Sequence, residues 1–221
     1  MTRYAGSRAV VVGQEPGIAL AIAKRLVEGG AEVLLTVGGQ EERARARTEL
    51  GSAARLVVLA PSAAPGDRGA LAGELGRWGG TGEDGGADLL FAGAVDTARP
   101  LLPWVRDGGA VVLTSPVPPD TAASDTAASD TAASDTAVSD AAASDTAVGA
   151  LASELARRGI RVNAVAPGCI EAPPAGAVPL PPLGRLGSAE EVARAALFLA
   201  TDATFTTGAR LPVDGGLGRR P

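Results

Sequence analysis

Six aspartates recur every five residues, at 120, 125, 130, 135, 140 and 145, separated by TAAS, TAVS or AAAS, and a single cysteine, Cys169, follows Pro167-Gly168. Carboxylates offer acid/base work and a thiol offers nucleophilic attack. The rest of the inventory restricts both. There is no histidine, which removes a Ser-His-Asp triad, a Cys-His pair and every imidazole metal site. Without a His or Lys to hold a thiolate, Cys169 reads as structural, and no metal centre is expected. One cysteine cannot close an internal disulfide, so a cytoplasmic setting is expected. The sole lysine is Lys24 and the sole tyrosine is Tyr4.

A five-residue period advances about 500° around a helix, so successive aspartates rotate by about 140° and mark no single face. Alanine favours helix there while Asp, Ser and Thr compete for the backbone. Segment 120–148 therefore reads as exposed and partly helical at its start, with a docked helix at its end. Tandem duplication of a short coding unit explains it blandly; a dedicated binding role for the repeats is the other reading.

The elements that must position any chemistry form one domain over 1–221. The chain of 221 residues is 46% apolar with only six aromatics, so Leu, Val, Ile and Ala do the packing. Twenty basic against 25 acidic residues give a net charge of −5, which argues against a nucleic-acid partner. No apolar run approaches the length of a membrane span, and no membrane partner is expected. Short apolar runs at Ser7–Val12, Glu32–Val37 and Arg55–Leu59 read as strands, with helices between them and a glycine stop at Gly29-Gly30. Further strands are expected at Asp88–Phe91, Ala110–Thr114, Ile160–Ala166 and Arg210–Val213. Helices are expected near Gly69–Trp78, closing at Leu151–Arg158, and over Ser188–Ala200. This alternation predicts right-handed crossovers and a parallel sheet.

Three blocks near the end, RGIRVNAVAPG (Arg158–Gly168), PLGRLGSAEEVARAALFLATD (Pro182–Asp202) and TGARLPVDGG (Thr207–Gly216), resemble the short-chain dehydrogenase/reductase superfamily, and weaker likeness covers most of the remaining chain. The resemblance implies a single α/β domain, a Rossmann-like, doubly wound parallel sheet in order 3-2-1-4-5-6-7, here with the helix after strand four shortened. It also implies association through the C-terminal strand, so a homodimer is expected, with a hetero-oligomer containing an active homologue as the other possibility.

Carried over position by position, the family's functional residues are thinned. The first turn reads Val12-Gly13-Gln14-Glu15-Pro16-Gly17-Ile18-Ala19, where members carry T-G-x-x-x-G-x-G. Gly13, Gly17 and Ile18 are the positions that would bind a dinucleotide phosphate at the helix N-terminus. Val37-Gly38-Gly39-Gln40 offers neither the acidic residue nor the arginine used at the end of strand two. Ala60-Pro61 replaces the aspartate after strand three, and Ala92-Gly93-Ala94-Val95 stands for N-N-A-G. Ser115 matches the family's serine after strand five. The positions of the Tyr-x-x-x-Lys pair fall at Ala137 and Ala141, and neither residue type occurs elsewhere in that half of the chain.

Asp140 flanks those two positions and Glu171 follows Cys169 at the cleft rim. Ser115, Asp140 and Glu171 are thus the candidate catalytic residues, with a solvated repeat carboxylate as the plainer reading of Asp140. From these losses the expected function is a non-redox acid/base enzyme acting on a small molecule, of cyclase, dehydratase or isomerase type, without a cofactor. The arginine-rich composition suggests a GC-rich source and, with family habit, specialised metabolism such as polyketide tailoring. Two alternatives stay open: a non-catalytic scaffold homologue, and an atypical ketoreductase that still uses NAD(P)H.

Overall fold

The computed structural model describes residues 3–13, 16–59, 69–78, 86–114, 146–171 and 180–217. Strand β1 (Arg8–Val12) is followed by α1 (Pro16–Glu28), β2 (Glu32–Val37), α2 (Gln40–Leu50), β3 (Ala54–Val58) and α3 (Gly69–Gly76). β4 (Ala87–Ala92) is followed by a four-residue helix α4 (Val95–Ala98), a 3-10 turn (Arg99–Trp104) and β5 (Val105–Thr114). A helix over 146–155, α5, precedes β6 (Arg161–Pro167). Helix α6 (Ala189–Leu197) runs into a π-helical turn (Phe198–Asp202), and β7 (Arg210–Val213) ends the sheet.

All seven strands are parallel, in the order β3-β2-β1-β4-β5-β6-β7. Successive side chains on a strand point to opposite faces, which makes two cores from one sheet. Val11, Leu35, Phe91 and Val165 pack with Leu26 of α1 and Val192 of α6 on one face. Val10, Leu34, Leu90 and Val162 pack with Leu75 of α3 and Leu151 of α5 on the other. Both sheet faces are covered, and this is why the strands read as unbroken apolar runs.

β5 starts five residues earlier than the apolar run suggests. The ladder with β4 pairs Ala87 with Val105, then slips before Leu89 pairs with Ala110. Gly108 takes φ +77° inside the slip, and a side-chain carbon on Gly109 would stand 2.9 Å from the carbonyl oxygens of Arg106 and Asp88. Only glycines let the strand carry this irregularity, and in the sequence they read as a turn. At the far end of the repeat segment, α5 is docked, with Val148 fully covered; the rest of 120–145 lies outside the described residues. Among the described residues no helix is long and apolar enough to cross a membrane.

Candidate functional site

In an open parallel sheet, ligands bind beyond the carboxyl ends of the strands where the strand order reverses. Here that point lies between β1 and β4. β1 ends in Gly13, whose N–H donates to the buried hydroxyl of Thr36 at 3.1 Å. A side-chain carbon on Gly13 would lie 3.0 Å from the Thr36 carbonyl oxygen and 3.3 Å from Cβ of Ala19. The glycine therefore lets β1, β2 and α1 close together. Gly17, in the first turn of α1, is exposed.

Beside Gly13 a small recess is lined by Gly13, Leu35, Thr36, Val37, Glu42 and Arg45. Glu42 reaches back from the first turn of α2 to accept the N–H of Gly38 at 2.5 Å. This carboxylate at the end of β2 escaped the sequence reading, which stopped at Gln40. The signal was a Gly-Gly turn followed within four residues by an acid in a helix's first turn, where an anion is favoured.

The loop after β6 forms the opposite wall. Gly168 donates to the Val213 carbonyl at 3.1 Å, and a carbon added there would meet Cα of Asp214 at 2.7 Å. Gly187 donates to the Cys169 carbonyl at 3.0 Å, and Glu171 donates to the Gly187 carbonyl at 2.9 Å. This two-sided tie pins the loop to the start of α6. The carboxylate of Glu171 accepts the Ala189 N–H at 3.1 Å, adding to the Ser188–Glu191 capping box. Arg25 of α1 and Glu190 of α6 form an ion pair at 2.5 Å that holds the two helices side by side.

Of the candidate residues, Gly13, Gly17 and Glu171 lie at this crevice, and Ile18 is buried in the first turn of α1. Ser115 and Asp140 lie outside the described residues, as do Ala60, Pro61, Ala137 and Ala141. Thr114, directly before Ser115, ends β5 on the crevice side of the sheet. The sole tyrosine is elsewhere. Tyr4 precedes β1, donates its N–H to the Gly29 carbonyl and lays its ring on Gly29, at the other end of the strands. Lys24 sits eight residues into α1, roughly 12 Å along the helix from its start.

The crevice suits a dinucleotide at three points: the close approach of β1, β2 and α1 at Gly13, the exposed Gly17 in the first turn of α1 and the recess at the end of β2. Glu42 can accept ribose hydroxyls and Arg45 can face a phosphate; neither role requires residues that the sequence lacks.

Residues 87–218 match the family described as Enoyl-(Acyl carrier protein) reductase. A 3-oxoacyl-(acyl-carrier-protein) reductase FabG from Thermotoga maritima is 50% identical over a segment covering 30% of this chain and 31% of its own. A cyclohexanol dehydrogenase from Acinetobacter sp. (strain SE19) is 48% identical over 30% of this chain and 29% of that protein. The chain thus spans about a third of the length of the curated relatives it matches. A solved Serratia marcescens short-chain dehydrogenase/reductase, a variant with two Phe-to-Leu substitutions, superposes with a TM-score of 0.74 at 23% identity, covering 98% of this chain and all of the other.

The names of these relatives correct two expectations. They are reductases and a dehydrogenase, which overturns the non-redox acid/base enzyme. The expectation of no cofactor falls with it, because no amino-acid side chain supplies a hydride and such chemistry draws it from a redox cofactor. The misjudgement has a physical source. Missing side-chain anchors were counted as missing affinity, although backbone N–H groups and a glycine turn carry much of a phosphate's binding.

Proposed function

Because the chain belongs to the Enoyl-(Acyl carrier protein) reductase family of the short-chain dehydrogenase/reductase superfamily, we propose that it is an NAD(P)H-dependent ketoreductase of atypical site chemistry. The observation that carries this reading is Gly13, packed closely against Thr36 and Ala19 at the point where the strand order reverses. Gly13, Gly17 and the N-terminal turn of α1 take the pyrophosphate, and Glu42 takes the adenosine ribose.

The substrate is a small ketone, of the 3-oxoacyl kind named for the relatives, in a polyketide-like or other specialised pathway in the cytosol. A bound nicotinamide supplies the hydride to the carbonyl carbon. The chain's own residues manage the oxygen. Ser115 donates a hydrogen bond to it, which favours the charge that develops there. The proton comes from Asp140 in its acid form, taking the part that a tyrosine plays in the family. Glu171 serves the binding wall, with its carboxylate engaged at Ala189. The partner is a second copy, joined through the edge strand β7.

The test is a calorimetric titration with NADH and with NADPH, each to millimolar concentration, followed by turnover of a 3-oxoacyl thioester. Binding with carbonyl-dependent oxidation of the dinucleotide supports the reading. Absence of heat with both dinucleotides sinks it.

A further inference from the structure

Among the described residues, Glu171 is the non-glycine residue with positive φ, at +52°. A side chain in that region is disfavoured and persists only where its surroundings hold it. The surroundings here are the paired bonds between Cys169, Glu171 and Gly187. The consequence of the strained backbone is the direction of the carboxylate. One oxygen, Oε1, accepts the Ala189 N–H at 3.1 Å, and the other, Oε2, lies 4.0 Å from the position of a side-chain carbon built on Gly17.

Gly17 is the second residue of α1, and Ala189 is the first of α6. The carboxylate therefore faces the N-terminal turns of two helices at once. Within α1 the first turn carries no acidic residue, Glu15 directly precedes it in the sequence, and Glu171 brings a further carboxylate to it from another element. That charge is not neutralised by a neighbour: Arg25 pairs with Glu190, Arg185 pairs with Glu191, and among the described residues Glu171 enters no ion pair.

We propose that Glu171 is an affinity-setting residue, a fixed carboxylate at the α1 N-terminus that opposes the dinucleotide pyrophosphate and keeps the cofactor loosely held. A helix N-terminus favours one anion through its free N–H groups and its dipole, and a second anion beside the first is repelled. The inference rests on the dinucleotide reading above and goes beyond it. Its functional meaning is rapid exchange of the spent cofactor between turnovers.

The experiment titrates NADH and adenosine into the wild-type protein, Glu171→Gln and Glu171→Ala at low and at raised salt. Glutamine keeps an acceptor for the Ala189 N–H and removes the charge. Glu171→Gln is expected to bind NADH about fivefold more tightly at low salt, with the gain shrinking as salt screens the repulsion. Adenosine, which has no phosphate, should bind both proteins alike. Glu171→Ala should show the same tightening with a lower melting temperature, because its cap is lost. Wild-type binding of NADH with no gain in either variant overturns the inference and leaves the dinucleotide reading standing. Equal tightening for adenosine overturns it too, since the effect would then be steric. If no protein binds NADH, the dinucleotide reading fails and this inference with it.

Discussion

Gly13 and Thr36 lock the ends of β1 and β2 together, through an N–H to hydroxyl bond of 3.1 Å and a backbone approach that leaves only 3.0 Å for any side-chain carbon on Gly13. The atom in the way is a main-chain oxygen within a paired strand, so it cannot swing aside. Gly13→Ala is expected to lower stability by about 1–3 kcal/mol, as overpacking does, and to weaken NADH binding because the turn into α1 must shift. Thr36→Val keeps the shape but leaves the Gly13 N–H without its acceptor, at about 1 kcal/mol. Urea unfolding of both variants beside NADH titration checks this; a Gly13→Ala protein indistinguishable from wild type would mean that the turn is not held by close approach.

The start of α6 should be the acid-sensitive part of the crevice wall. Hydrogen bonds from Arg185, then from the Ser188 N–H, pull the Glu191 carboxyl from its ordinary 4.5 down to about 2. A carboxyl depressed in the folded state stabilises the fold fully above its unfolded value, and that contribution fades as pH falls from about 4.5 through about 2. Glu191→Gln should therefore melt below wild type at pH 7 and converge with it near pH 2. Ser188→Ala, which removes the reciprocal bond, should cost about 1 kcal/mol at neutral pH. Melting curves across this pH range decide, and a constant gap at every pH would dissociate Glu191 ionisation from the cap.

Arg161 is a stability residue disguised as a strand charge. Its guanidinium gives bonds to the carbonyls of Leu199, Ala200 and Ala203, satisfying the end of the π-helical turn, and burial lowers its pKa. Lysine is a point donor and cannot fork over three carbonyls. Arg161→Lys should destabilise by about 1–2 kcal/mol and Arg161→Met by about 2–3 kcal/mol, as unsatisfied carbonyls accumulate. Chemical unfolding measures both; equal stability of the lysine variant would show that one bond suffices.

The sheet was readable because its central strands are buried on both faces, so Val10 through Val12 or Val162 through Ala166 appear as apolar runs whose partners need not be known. The order of the strands came from resemblance to a family, since hydropathy carries no neighbour list. What escaped was set by tertiary approach. The slip at Gly108-Gly109 depends on where Asp88 stands, and Glu42 matters only because α2 folds its first turn back onto Gly38. Glu171 was found as a rim carboxylate, but its aim at Ala189 depends on a backbone angle that composition cannot express. The largest error was chemical: lost side chains were equated with lost cofactor, while two glycines of the family's phosphate motif stand in the sequence at Gly13 and Gly17.

In the proposed reduction Ser115 and Asp140 have separate tasks, so their variants should fail differently. Ser115 directly follows Thr114, the last residue of β5, in the sequence, and in the proposed reduction the loss of its hydroxyl should act on the carbonyl oxygen alone. Ser115→Ala is expected to lower kcat by about 10–100-fold, equivalent to losing one hydrogen bond to a developing charge, with the NADH Kd unchanged. Under the proposed mechanism Asp140 gives the proton, so Asp140→Asn should lower kcat and remove the alkaline limb of the pH-rate profile, since a carboxylic acid stops donating once it ionises. Steady-state kinetics across pH with a 3-oxoacyl thioester separates the two. Should Asp140→Asn retain both rate and profile, solvent water is the donor, and the aspartate repeat has no part in the chemistry.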